Sequence, residues 1–158
     1  MMNISVPTTD RPMFSPIGLY RKALSIADAM PLSVIQLAAR VAIANVFWNS
    51  AQSKLVSWPV TLQLFAMEYR VPLLPPDIAA PLATATELTG SILIFLGLFT
   101  RLGALALLGL VAVIQIFVYP GHWGEHLMWA SLLGLLLARG AGVVSLDQLG
   151  RWLILGNR

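Results

Sequence analysis

Two ionisable residues stand alone in apolar stretches of this chain. Glu87 is the only charge between Ile78 and Phe99, and Arg40 the only one between Leu32 and Ser53. Both stretches are long enough to cross a bilayer at about 1.5 Å per residue. A charged side chain near the middle of a span costs about 2.5–3.5 kcal/mol, so such a group faces protein, pairs, or carries protons. Arg40 sits about 12 Å from the start of its run and Glu87 about 14 Å from the start of its own. In a hydrocarbon core of about 30 Å those levels meet. A buried Arg40–Glu87 ion pair is the expected arrangement, either fixing helix packing or relaying a proton. No catalytic residue is assigned.

A second group of reactive types is His122-Trp-Gly-Glu125-His126. Its His-x-x-Glu-His spacing matches inverted zinc peptidases. Five residues carry little specificity, Gly124 weakens the helix, and no third ligand is placed, so a peptidase is not the expectation. The two histidines are one turn apart on one helix and cannot be opposite axial ligands of a haem. A polar mouth flanked by Trp123 and Trp129 is expected instead, where His122, Glu125 and His126 meet Lys54. Such a mouth suits a quinone headgroup, a small anion or a metal ion, or is an ordinary interface with its aromatic belt. His122 and His126 are metal candidates without a firm site. Asn45, Asn49, Gln52 and Gln115 are expected to hydrogen-bond between helices.

The elements that must carry these residues are four spans, at about 32–53, 78–99, 102–119 and 123–139. The fourth has the weakest signal, because His122, Glu125 and His126 crowd its start. On the second span Ala79, Ala83, Thr86, Glu87, Gly90 and Gly97 share an arc, and small residues let helices approach closely in lipid, so Glu87 faces the bundle. Between the first two spans, Trp58-Pro59 starts a short interfacial helix to about Arg70, broken by Pro72, Pro75 and Pro76. Residues 1–15 read as a disordered tail and 16–30 as an amphipathic surface helix. Gly140 and Gly142 stop the last span, and Ser145-Leu-Asp-Gln148 has the form of a capping box that restarts a short helix. The expected fold is therefore all-α: an integral membrane four-helix bundle (32–139) with amphipathic interfacial helices at both ends (1–31 and 140–158).

Composition agrees. Hydrophobic residues make up 58% of the 158 residues and charged ones 11%, against about 25% charged in a soluble domain. Mean hydropathy is +0.79. A net charge of +3 without basic patches gives no reason to expect nucleic acid. The absence of cysteine rules out thiolate, persulfide, iron–sulfur and Cys-zinc chemistry within this chain. No cleaved signal peptide is expected, since the first 30 residues hold no apolar core. With four spans, Arg11, Arg21, Lys22, Arg101, Arg139, Arg151 and Arg158 share one side and only Lys54 and Arg70 the other. The positive-inside rule then predicts cytoplasmic termini and, in a bacterium, the inner membrane.

Three ordered motifs resemble the DoxX family of small four-span membrane proteins. Arg40, Phe47 and Lys54-Leu55 are spaced like its R…F…G-x-x-K-L signature, with Ala51 where glycine is usual. Glu87-Leu-Thr-Gly90 and Leu96-Gly97-Leu-Phe-Thr100-Arg101-Leu resemble E-x-x-G…L-G-L-x-T-R-L. Arg139-Gly-Ala-Gly142-Val-Val-Ser145-Leu-Asp147 resembles G-x-G-x-x-S-L-D. The segment Val118–Trp129 looks like one branch of that family. The similarity covers about residues 32–150. The family takes its name from a subunit of a thiosulfate:quinone oxidoreductase, and other members resemble membrane partners in redox-stress complexes. The resemblance implies an accessory membrane subunit of a redox or stress-response system, not catalytic alone, with a protein partner or a second copy and with quinone as the ligand to test. The alternatives are a non-redox module handling a metal ion or small solute, and a purely structural scaffold.

Overall fold

A computed structural model describes residues 16–72 and 74–156. Among them all regular structure is helical. Helix α1 (Pro16–Asp28) belongs to a separate unit. The expected tail at 1–15 lies outside the described residues.

The second unit begins at Leu32. It contains α2 (Leu32–Val56), α3 (Trp58–Leu64), α4 (Pro76–Leu96), α5 (Thr100–Val113), α6 (Trp123–Arg139) and α7 (Leu146–Leu155). Helix α3 runs on into a π-helical turn, Phe65–Tyr69, and α5 into another, Ile114–Val118. Three of these helices are long and apolar enough to cross a membrane: Leu32–Val56, Pro76–Leu96 and Thr100–Val118. Helix α6, from Trp123 to Arg139, falls short of that measure.

Helix α2 packs on α4, α4 on α5, α5 on α6 and α6 back on α2, closing a ring. Ile43, Phe47, Ile94, Leu107, Leu133 and Leu136 fill its centre and are essentially inaccessible. Small residues set the spacing: a Cβ on Gly90 would stand 2.7 Å from Leu107 Cγ, so α4 and α5 meet closely there.

Each break has a local cause. Ser57 in extended conformation and Pro59 in the first turn start α3. Arg70 at φ +40° ends the π turn that follows. Pro75 and Pro76 open α4. Helix α4 ends in a Schellman turn: Gly97 is left-handed (φ +66°) and Leu98 N–H donates to Leu93 O at 2.9 Å. Ser145 Oγ accepts the Gln148 N–H at 3.2 Å and starts α7.

Candidate functional site

The two isolated charges do not meet. Glu87 pairs with Lys54, whose Nζ donates to Oε1 at 2.9 Å and Oε2 at 2.8 Å. Ser50 Oγ adds a bond to Oε1 at 3.0 Å and accepts one from Lys54 Nζ at 2.8 Å. This is a compact triad, and the side chains of Lys54 and Glu87 are 13% and 3% exposed. Ser50 and Lys54 are one turn apart on α2, so one face of that helix supplies both partners.

Arg40 lies on the same helix ten positions before Ser50, about 15 Å further along the axis. That offset separates it from Glu87 and corrects the expected Arg40–Glu87 pair. Its guanidinium is spent on backbone carbonyls. Nε donates to Ile94 O at 2.9 Å and Nη2 to Phe95 O at 2.6 Å, at the open C-terminal end of α4. Nη1 donates to Ala141 O at 3.1 Å and to Val144 O. The last carbonyls of a helix lack intrahelical partners and carry its negative dipole end, so a forked cation is well matched to them.

Around Arg40 the connecting segments are stitched together. Gln36 Nε2 donates to Arg139 O and Gly140 O at 3.1 and 2.9 Å. The Asp147 carboxylate accepts Phe99 N–H and Thr100 N–H at 2.8 and 3.1 Å, capping α5 from the α7 side. A Cβ on Gly97 would fall 2.7 Å from Arg40 Nη2, and one on Gly142 2.9 Å from Gln36 Oε1. Both glycines have positive φ, so they are required by conformation and by space. Arg40, the Gly97-x-x-Thr100 turn and the Gly142-x-x-Ser145-x-Asp147 segment therefore build one clamp.

The Lys54–Ser50–Glu87 triad instead lines a cavity of about 610 Å³ between α2, α4, α5 and α6, within the range of about 300–1,000 Å³ usual for small-molecule sites. Its walls are mostly aliphatic and aromatic. Seven of the lining rings form an unbroken series: Phe65–Tyr69 (4.9 Å between centroids), Tyr69–Tyr119 (5.8 Å), Tyr119–His122 (5.3 Å), His122–His126 (6.3 Å), His126–Trp129 (5.2 Å) and Trp129–Phe47 (5.8 Å). Both π turns contribute to it, through Phe65, Tyr69, Ile114 and Val118. A π turn widens a helix by one residue and often accompanies a functional site. On the α4–α5 side the wall includes Leu82, Ala106 and Gly109, all three of them exposed residues.

Of the residues expected at an outer mouth, Lys54, His122, Glu125, His126 and Trp129 all line this cavity. His122 and Glu125 are exposed at its edge, and His126 is buried. Trp123 does not join them: it is 58% exposed and borders a shallow apolar groove between α5 and α6. The start of α6 turns its indole outward, one position from His122 on the helix. Among the described residues no three His, Cys, Asp or Glu side chains converge as a metal set.

Gln115 makes the bond between helices expected of it, and Tyr119 is a contributor that sequence reasoning passed over. Gln115 Oε1 accepts from His126 Nδ1–H at 2.6 Å, while its Nε2 donates to Pro120 O at 2.8 Å. Tyr119 donates to Glu68 Oε1 at 2.6 Å and ties the two π turns together. That bond, with partial burial, raises the Tyr119 hydroxyl above the ordinary tyrosine range.

A family model described as DoxX matches residues 35–120. The chain belongs to the DoxX family. No curated protein and no solved structure matches it. The matched stretch of this DoxX protein contains Arg40, Lys54, Glu87 and Gly97, hence the triad and half of the clamp. His122, Glu125 and His126 lie beyond it. With the apolar helices, family membership makes this a membrane protein.

Proposed function

We propose that this DoxX protein is a four-span subunit of the bacterial inner membrane whose outer half holds a quinone-class ligand for a redox or stress-response partner. The observation that carries the reading is the cavity: about 610 Å³, walled by a continuous series of rings and bordered by a buried Lys54–Glu87 pair and by His126. An aromatic, mostly dry pocket with a few convergent polar groups suits a ring-shaped ligand bearing hydrogen-bonding oxygens. The exposure of Leu82, Ala106 and Gly109 on the α4–α5 side gives such a ligand a lateral way in from lipid. The chain itself supplies binding and orientation; electrons pass through the ligand and the partner's own cofactor.

In this reading α6 is the fourth span, and the charge split puts both termini in the cytoplasm. The Arg40 clamp then lies at the inner face and the cavity towards the outer one. Helix α7 exposes Leu149, Trp152 and Leu153 and rests on the inner leaflet. The protein is purified in mild detergent and the retained small molecules are measured by mass spectrometry, alongside His126→Ala. Retained quinone, reduced in the variant, supports the site; equal retention in both, or none in either, contradicts it. Reporter fusions after residue 158 and within the 54–77 connection are expected on opposite sides of the membrane.

A further inference from the structure

The cavity's interior polar groups have an uneven balance of donors and acceptors. All three N–H groups of Lys54 are used, on Ser50 Oγ and the two Glu87 oxygens. Ser50 donates to Glu87. Thr86 donates to Leu82 O at 2.8 Å, and Tyr119 to Glu68. The Tyr69 ring packs edge-on against that of Tyr119. Lys54, Ser50, Thr86 and Tyr119 therefore have no hydrogen left for a ligand, and the His122 ring lies exposed at the cavity's edge. Glu87 has acceptor capacity to spare: a carboxylate offers about four lone-pair positions, and the triad fills three.

His126 has the same polarity. Pro120 O can only accept, so the Gln115 amide must turn its nitrogen towards it and its oxygen towards His126. Gln115 Oε1 can only accept in turn, so the proton of the imidazole sits on Nδ1. No carboxylate lies within ion-pair distance of the ring among the described residues. In the neutral ring Nε2 is then a bare acceptor. It bonds no protein group, yet the only buried side-chain nitrogen or oxygen without a partner or accessible surface among the described residues is Thr100 Oγ1. Nε2 therefore reaches open space, and since the groove behind α6 presents almost purely apolar surface, that space is the cavity.

We propose that the cavity selects a ligand that donates hydrogen bonds at two points, so that the dihydroxy, reduced form of an aromatic ligand binds in preference to its dicarbonyl, oxidised form. The inference rests on the quinone-class reading of the site and adds which redox form it favours. A hydroquinone can give one O–H to Glu87 and the other to His126 Nε2. A quinone brings only acceptors, and each would face another acceptor in a dry site. Buried polar groups left unpaired in this way separate close analogues strongly. Gln115 is a positioning residue: it touches no ligand and acts by fixing the His126 tautomer.

The test is anaerobic equilibrium dialysis of the full chain in mild detergent against duroquinol and duroquinone. The hydroquinone is expected to bind more tightly by about tenfold or more. In Gln115→Leu the imidazole is free to carry its proton on Nε2, so the preference shrinks because the quinone binds better. The ¹⁵N shifts of His126 report the same change, from an unprotonated Nε2 in the parent to a mixture in the variant. Equal or tighter binding of the quinone by the parent overturns the proposal and leaves the pocket as a quinone-class site. Binding of neither overturns the proposal and that reading together. An unchanged preference in a folded Gln115→Leu overturns the tautomer mechanism.

Discussion

Arg40 and Glu87 are both buried charges in apolar helices, yet the molecule uses them in opposite ways. Every bond of Arg40 goes to a backbone carbonyl, from the end of α4 and the loop that follows α6. Its side chain is buried, and Gly97 is needed to make room for it. Glu87 is held by side chains only, on one edge of a cavity large enough for a ligand. A charge closed in by the main chain fixes architecture. A charge held by side chains beside an empty volume can exchange partners, and function is to be sought there.

The largest effect that would break this contrast is expected at Arg40. Arg40→Leu strips partners from four carbonyls, two of them in buried bonds, and is predicted to cost about 4 kcal/mol, read as a loss of thermal stability in detergent. Lys54→Met is predicted to cost less, about 3 kcal/mol, because Glu87 loses its cation but keeps its bond from Ser50. Adding Glu87→Leu to it should recover most of that loss while abolishing ligand retention, whereas no second substitution near Glu87 should rescue Arg40→Leu. A rescue of that kind would mean that the two charges are coupled after all. Gly97→Ala combines a positive φ with a Cβ pressed against the guanidinium and is expected to cost about 2 kcal/mol.

The smallest expected effect is at the roof of the cavity. Tyr119 gives its hydrogen to Glu68, and its folded-state pKa lies above that of an unfolded tyrosine. The sign follows from linkage: the folded chain keeps this proton longer, so its stabilising contribution is complete below about pH 10 and falls as pH rises beyond that. Melting curves of the parent and Tyr119→Phe should differ at neutral pH and converge in alkali. Curves that stay parallel would mean that this bond does not hold the π turns together.

Much of the architecture was legible in the chain. The apolar runs and their Pro and Gly boundaries outline α2, α4, α5 and α6 to within a few residues, and the isolated charges mark where to look. The pairing was not legible. Depths counted inward from two antiparallel run ends put Arg40 and Glu87 level, but the helices pack with α4's last turn beside Arg40. Its partners are carbonyls, which every residue has and no residue type announces. Lys54 gave a signal that was read too narrowly: with Ser50 it stands at i, i+4, and its long stem can turn inward as readily as out to the interface. The orientation of Gln115 depends on Pro120 O five residues on, across a π turn that composition does not foretell. Trp123 and Trp129 are both aromatic residues of one helix, and only packing separates the ring that lines the cavity from the one that faces outward.

The central claim is that the cavity binds the ligand and the Arg40 clamp does not. It is tested most directly by measuring quinone-class ligand retained per folded molecule in His126→Ala, Glu87→Gln and Arg40→Lys, purified in mild detergent and compared below their melting temperatures. The two cavity variants are predicted to lose about tenfold or more in retention, while Arg40→Lys melts earlier but retains as much as the parent. Loss of ligand from Arg40→Lys to the same degree, or full retention by both cavity variants, would contradict the account.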